Sequence, residues 1–333
     1  MVRKIKNKRK KTTNNITESE IKFKKVLNNK IKKGKIKECL LKETGECQGK
    51  IISAHSIQNN RYLNKISKKG KVIIIKIENN EVKFLEEGRK RFSVFTGFCQ
   101  KHDKEIFQPI EDIDYISSDE QKYLYVFRSL AREFHTKKEI LNIYSKQIEE
   151  NPNLFLLKNI KKNHLKDLES IKKEFELIYN ELSIKKYESL IIKEYILEKE
   201  YLVVTNGAFI PRTNSKNEYI FDSYTDESIN NGNLDPVIFL NVFPLKNKTY
   251  ILLSFFKKYE KILNPLILDI EKNKKREISS LIIKHCEVIA FNPDYIQNKF
   301  TTKERNEILK NFSKNLNGIL TEEINSKINL FVD

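Results

Sequence analysis

The sequence predicts an α+β chain, on three observations. Between residues 117 and 199, apolar side chains recur at three- and four-residue intervals, the signature of helices with one buried face. From Tyr201 that period gives way to short runs rich in Val, Ile, Leu and Phe separated by turn-forming residues, which reads as an antiparallel sheet. Ahead of both, residues 39–111 hold three of the four cysteines and two of the five histidines around a few strand-like runs, with little core of their own. At roughly 100–200 residues per domain, 333 residues make two or three domains. The boundaries follow these shifts: a basic, partly disordered arm at 1–38, a small module at 39–116, a helical connector at 117–200 and an α+β domain with an antiparallel sheet at 201–333.

Each element has a local reason. Residues 1–17 are charged, Asn- and Thr-rich and lack an apolar period, so no order is expected. Thr17, Glu18, Ser19 and Glu20 are a helix-start signal, and Ile21, Phe23, Val26 and Leu27 carry one side to about Lys33. Residues 71–77 and 81–85 read as strands across a turn at Asn79 and Asn80, with a third at 91–96. Ser117, Ser118, Asp119 and Glu120 form an N-cap with an acidic first turn, and Tyr123, Val126, Phe127, Leu130 and Phe134 follow at helix spacing. Asn151 and Pro152 end that helix. A second stretch, about 154–199, keeps Leu165, Leu168, Ile171, Phe175, Ile178 and Leu182 in register, with a break near Ser183. Beyond it, residues 202–205, 219–221, 237–243 and 249–256 read as strands, the last two joined by a longer loop over 244–248. A helix at about 272–284, a short apolar run at 288–291 and a helical region from Asn292 to about Leu316 complete the order.

Composition excludes several classes. Nine Gly and seven Pro rule out collagen-like and linker architectures, and four Cys in 333 residues rule out a disulfide scaffold. No uncharged apolar run approaches the ~18 residues of a membrane span. The basic N-terminus is not followed by a signal-type apolar stretch, so a cytoplasmic protein without a membrane partner is expected. The net charge of +18 points to an acidic partner such as nucleic acid. The abundance of Lys, Ile and Asn is also what an AT-rich coding bias imposes, so distribution matters more than the total. Residues 1–38 carry 15 Lys and Arg against 3 Asp and Glu. The basic excess is therefore concentrated in an N-terminal arm, either a solubilising tail or a phosphate-binding one with salt-sensitive affinity.

The chemistry-bearing constellation is in the small module. Cys99 and His102 form a C-x2-H pair, a spacing that turns two ligands toward one ion. Cys39 and Cys47 flank Thr44, Gly45 and Glu46, a loop able to close on the same ion. The resulting Cys3His set suits structural Zn2+, with buried cysteines beside an incidental histidine as the alternative. His55 sits within residues 51–57, at the end of a short apolar run. It reads as a catalytic histidine, as a substitute zinc ligand, or as a structural residue.

The order of these residues carries a resemblance. A cysteine pair, an apolar run ending in histidine, then a C-x2-H pair is the chain order of HNH endonucleases, and residues 39–111 resemble a divergent treble-clef module of that family. Ala54, His55, Ser56, Ile57 and Gln58, with Gly97, Phe98, Cys99, Gln100, Lys101, His102 and Asp103, also resemble bacterial proteins with an FCxxHD signature. The resemblance implies that the zinc is a scaffold. It implies that His55 is the general base on water, that Asp103 binds a catalytic Mg2+ or Mn2+ at the scissile phosphate, and that Asn59, Asn60 or Asn64 orients the base. Three departures stand against the pattern: Ala54 precedes the base where the family has a polar residue, Asp103 replaces His or Asn, and some 50 residues separate Cys47 from Cys99. Asp103 also has a structural reading, as an early-helix acid or a partner of His102.

Lys101, Lys104, Arg89, Lys90 and Arg91 lie beside the frame and are the expected phosphate grip, or else ordinary solvated charge. Arg128, Arg132, Glu133 and His135 form a polar set near one helical turn, of which Arg128, Arg132 and Glu133 read as surface ion pairs. His164 and His285 read as structural, Cys286 as a buried thiol, and 207–211 as a turn between strands. No phosphate-binding Gly-rich loop is present. The expected function is metal-dependent nucleic-acid cleavage, DNA favoured, with bacterial defence as its setting. The alternatives are a non-catalytic zinc-containing nucleic-acid-binding protein and a protein-interaction component, with the C-terminal domain available to a protein partner.

Overall fold

The computed structural model describes residues 34–78, 81–211, 213, 214, 216, 218, 220, 236–316 and 328–333. The arm helix expected at 17–33 and, Ile220 apart, the strand expected at 219–221 lie outside the described residues. The first half opens with β1 (Ile51–His55), a short helical segment (Asn59–Leu63 continuing through Asn64–Ile66), the hairpin β2 (Lys71–Glu78) and β3 (Glu81–Gly88), and β4 (Val94–Cys99). Helices α1 (Gln100–Glu111), α2 (Asp119–Glu150) and α3 (Phe155–Ser183) follow. The second half runs through β5 (Leu190–Leu197), β6 (Val203–Phe209), β7 (Ile238–Leu245) and β8 (Lys248–Phe256), then α4 (Glu260–Lys272) and α5 (Lys274–His285). It closes with β9 (Val288–Phe291), α6 (Pro293–Asn298) and α7 (Thr302–Leu316).

Two sheets result. β1 and β4 form a two-stranded antiparallel ribbon, and the other seven strands form one sheet in the order β3-β2-β9-β6-β7-β8-β5. Every pairing in it is antiparallel. Consecutive residues of β6, β7 and β8 are fully buried, Val203 with Val204 and Leu252 with Leu253 among them, so both faces of the sheet are covered. Helices α2 and α5 both pack on β6.

The long stretch between Cys47 and Cys99 has its explanation here. Its hairpin β2–β3 leaves the small module and docks on β9, with Ile73 opposite Phe291 and Ile74 opposite Ala290. Val72 through Ile75 are all buried there, consistent with their uninterrupted apolar run. The module and the second half therefore share one sheet.

The structure differs from the sequence reading at three places. The helix expected to resume after Ser183 does not: the chain turns at Lys185, whose φ is 54°, and residues 190–197 pair with β8 over eight positions. Its β-branched Ile191, Ile192 and Ile196 favour a strand, while Lys193 and Glu194 on this sheet edge imitate a charged helix face. The loop expected over 244–248 is a two-residue turn, in which Lys246 and Asn247 both take positive φ, 49° and 64°, as a tight hairpin twisted with its strands requires. Gly207 lies inside β6 and not in a turn; a Cβ there would meet the Cys286 sulfur at 2.8 Å, so glycine admits the close approach of that thiol.

Candidate metal centre and adjoining cavity

The cysteine loop closes because two glycines let it. Lys42–Thr44 makes a single tight helical turn after Cys39, and Gly45, at φ 76°, reverses the chain toward Cys47. The wide C-x7-C spacing is thus folded back on itself. Gly49, at φ 74°, makes a second reversal, after which the amides of Gln100 and Lys101 donate to the carbonyls of Lys50 and Gln48 at 3.0 and 3.3 Å. Leu40 N–H donates to the Gly97 carbonyl at 2.8 Å and ties the first turn to β4. Cys99 ends β4, and His102 sits in the first turn of α1.

These contacts bring the four expected ligands together. Their ligand atoms all lie within 4.8 Å of one another, the sole such cluster of His, Cys, Asp or Glu among the described residues. His102 Nδ1 stands 3.3 Å from Cys39 Sγ, 3.7 Å from Cys47 Sγ and 3.4 Å from Cys99 Sγ. Tetrahedral Zn2+ with ordinary Zn–S and Zn–N bonds separates sulfur and nitrogen vertices by about 3.5 Å, so the donor set fits the ion. Burial pushes the Cys39 thiol up to about 12 and raises Cys47 as well. Burial acts the same way on Cys99, but backbone N–H groups of His102 and Gln48 and the neighbouring thiols hold it below the usual thiol value. Burial, aided by Lys101, lowers His102 and keeps it neutral. Three crowded sulfurs beside a neutral imidazole are what a divalent cation converts to thiolate ligands. His55 is not in the cluster, so its reading as a substitute ligand is not supported.

His55 lies elsewhere. β4 carries one extra residue between Phe95 and Phe98 opposite Ser53, a bulge that re-aims the end of the ribbon. Gly97 sits in that bulge, where a Cβ would strike the Phe95 ring at 2.7 Å. His55, at the end of β1, then lines a small cavity of about 150 Å³ together with Asn59, Asn60, Asp103, Glu111 and Arg128. Asn64 is not among the lining residues. Burial lowers His55, against the opposing pull of Glu111, so its ring is neutral at pH 7. The backbone carbonyls of Lys90 and Arg89 face the ring, while Nε2 is buried with no partner among the described residues. Burial raises the Asp103 carboxyl, with Arg128 pulling the other way.

Two cavity residues escaped the sequence reading. Glu111 follows Asp103 by eight residues, so both fall on one face of α1, a spacing visible in the sequence. Arg128 was expected in a surface ion pair, but it is 3% exposed, donates to Glu111 Oε1 at 2.6 Å and lies 4.2 Å from the Phe107 ring centre. His135, from the same polar set, is buried against Phe95 and within 3.3 Å of Thr96 Oγ1. The basic residues beside the frame divide. Arg89 donates to both the carbonyl and Oδ1 of Asn59, at 2.9 and 2.8 Å, and so holds that asparagine in place. Lys101 pairs with Glu46 and Arg91 with Glu87, while Lys90 and Lys104 are exposed.

Comparison with protein-family models, with curated proteins and with solved structures finds no match. Among the described residues no helix is long and apolar enough to cross a membrane.

Proposed function

We propose that this chain is a metal-dependent nucleic-acid endonuclease of HNH type, its catalytic module framed by zinc on Cys39, Cys47, Cys99 and His102. One observation carries the reading. A strand-end histidine with a free ring nitrogen and a first-turn carboxylate from the following helix line one small polar cavity, directly beside a Cys3His cluster. Phosphodiester hydrolysis needs a base for water and positive charge on the phosphate. His55 is the base: its Nε2 takes the proton of the attacking water, and the carbonyls of Lys90 and Arg89 stabilise the imidazolium that forms. Asn59, clamped by Arg89, keeps the polar rim beside His55 fixed. Asp103 is the residue to hold a hard divalent ion, Mg2+ or Mn2+, which would supply the charge that stabilises the phosphate. Lys90 and Lys104 are the exposed cations best placed to meet the backbone of a nucleic acid, DNA in the first instance.

The non-catalytic binding reading has one observation in its favour. Arg128 and Glu111 already neutralise each other on the cavity wall, which leaves less free charge for chemistry. Incubation of the purified chain with plasmid and single-stranded DNA separates the two. Cleavage that requires Mg2+ or Mn2+ and is lost in Asp103→Asn supports the nuclease. Salt-sensitive binding without cleavage by the wild-type chain favours the alternative.

A further inference from the structure

A second polar cavity, of about 330 Å³, lies between α2, β6 and the residues that join α5 to β9. Nothing in the nuclease reading uses it. Helix α2 contributes Ser129, Arg132 and Glu133 to it, β6 contributes Asn206 and Phe209, and His285 closes it from the end of α5. Three features mark it as built for a ligand. The Asn206 amide is locked, its Nδ2 donating to Ser129 Oγ and to Asn241 Oδ1 at 2.7 Å each, yet its buried Oδ1 has no partner. The His285 ring lies flat on Phe209, 4.8 Å between centres and 11° between planes, and its buried Nε2 also has no partner. The Arg132 guanidinium is half-buried and is influenced by Glu287 and Glu133 through space without a hydrogen bond to any described residue. Unmet donors and acceptors of this kind cost free energy unless a ligand or water meets them.

The pattern selects among ligands. Arg132 sits among carboxylates, so the cavity has no positive excess to attract a free phosphate. It offers a forked donor, the Glu133 carboxylate with Lys137 Nζ 3.7 Å from Oε1, an amide acceptor and a flat ring wall. The volume is at the lower end of the roughly 300–1,000 Å³ typical of small-molecule sites. We propose that this cavity binds a guanine base. The Arg132 fork matches O6 and N7, the commonest arginine–base pairing. The Glu133 carboxylate and Asn206 Oδ1 accept from N1–H and the 2-amino group, and the Phe209–His285 pair offers its face to the ring. Adenine and cytosine would turn an amino donor toward Arg132, and uracil or thymine lacks the second donor for the acceptors.

A free nucleotide and a single strand both present such a base, and the test separates these sources. The full chain is titrated calorimetrically with GMP, AMP, CMP and UMP, and with the pentamers TTGTT and TTATT. Saturable GMP binding is expected, with the other three nucleotides at least tenfold weaker. Glu133→Gln, nearly isosteric, should weaken GMP at least tenfold at unchanged melting temperature and zinc content. Arg132→Met should act in the same direction. His55→Ala should bind GMP like the wild type, so failure of the nuclease reading leaves this result intact. Tighter binding of TTGTT than of GMP identifies a strand as the source, and GMP alone identifies a free nucleotide. No saturable binding by any of the six, equal binding of the four mononucleotides, or a Glu133→Gln chain with full GMP affinity overturns the proposal.

Discussion

The Cys3His module and the sheet built around β6–β9 reach order by different means. In the module, ribbon β1–β4 and helix α1 converge on four ligand atoms, with Gly45, Gly49 and Gly97 bending the backbone until they meet. In the sheet, consecutive Val, Ile, Leu and Phe side chains are buried on both faces, and no ion is needed to explain why they stay together. The difference shows where each half is vulnerable. The module draws its ends together at one cluster of ligand atoms above the buried Phe98, Phe107 and Phe127, whereas the sheet rests on buried apolar side chains alone. It also shows what each can offer chemically. A point-anchored frame holds a strand end and a helix start side by side, where His55 and Asp103 sit. A continuous sheet offers only the gaps at its margins, one of which is the cavity beside Arg132.

The largest effect should come from attacking the anchor. Cys39→Ser, or a strong chelator, is expected to release the zinc, whose binding contributes about 10 kcal/mol or more in small zinc-folded units. Hydrogen exchange should then lose protection in β1, β4 and α1 while β6, β7 and β8 stay protected. Simultaneous loss in β6–β8 would break the comparison, because it would make the sheet depend on the ion. Leu252→Ala is the converse test. It should cost about 2–5 kcal/mol in thermal or denaturant melts and leave the zinc content unchanged. A smaller effect belongs to the contact between α1 and α2. Arg128→Met should cost about 1–3 kcal/mol, since Glu111 is partly exposed and recovers some solvation when its partner goes.

The smallest effect is a pH dependence that belongs to the sheet margin. Burial depresses His285 from 6.5 to about 3, with Lys284 adding to it. Above pH 6.5 both folded and unfolded chains keep the ring neutral, so its contribution is complete there. As the pH falls from about 6.5 toward 3, the unfolded chain binds the proton first and stability is lost, at no more than about 1.4 kcal/mol per pH unit. His55, His135 and His164 are lowered by burial as well and add to the same trend. His285→Gln should flatten the stability profile between pH 6 and 4 relative to the wild type. An unchanged slope would show that His285 is solvated.

Much of this was legible in the residues. The C-x2-H pair and the Cys39–Cys47 loop named the four clustered ligands, because metal ligands need particular side chains at particular spacings. The long helix after Ser118 was legible from its cap, whose side chain accepts from the Gln121 amide. His55, Asp103 and one of Asn59, Asn60 or Asn64 are expected at one site, and all of these but Asn64 line one cavity. What stayed hidden depended on long-range partners. Nothing local says that the hairpin at 71–88 pairs with β9 some 200 residues later, or that residues 190–197 edge a sheet. Arg128 looked like surface charge because its partner Glu111 and its ring Phe107 lie on another helix. The Arg132 cavity was invisible for the same reason, since its walls come from three separated stretches of chain.

Zinc as the frame of the module and His55 as the base within it can be tested together. The most direct test counts zinc and measures plasmid cleavage, with Mg2+ or Mn2+ added, on the same preparations of wild type and His55→Ala. One zinc per chain is expected in both, with cleavage by the wild type and none by His55→Ala. Loss of zinc from His55→Ala, or cleavage that survives the substitution, would contradict that expectation.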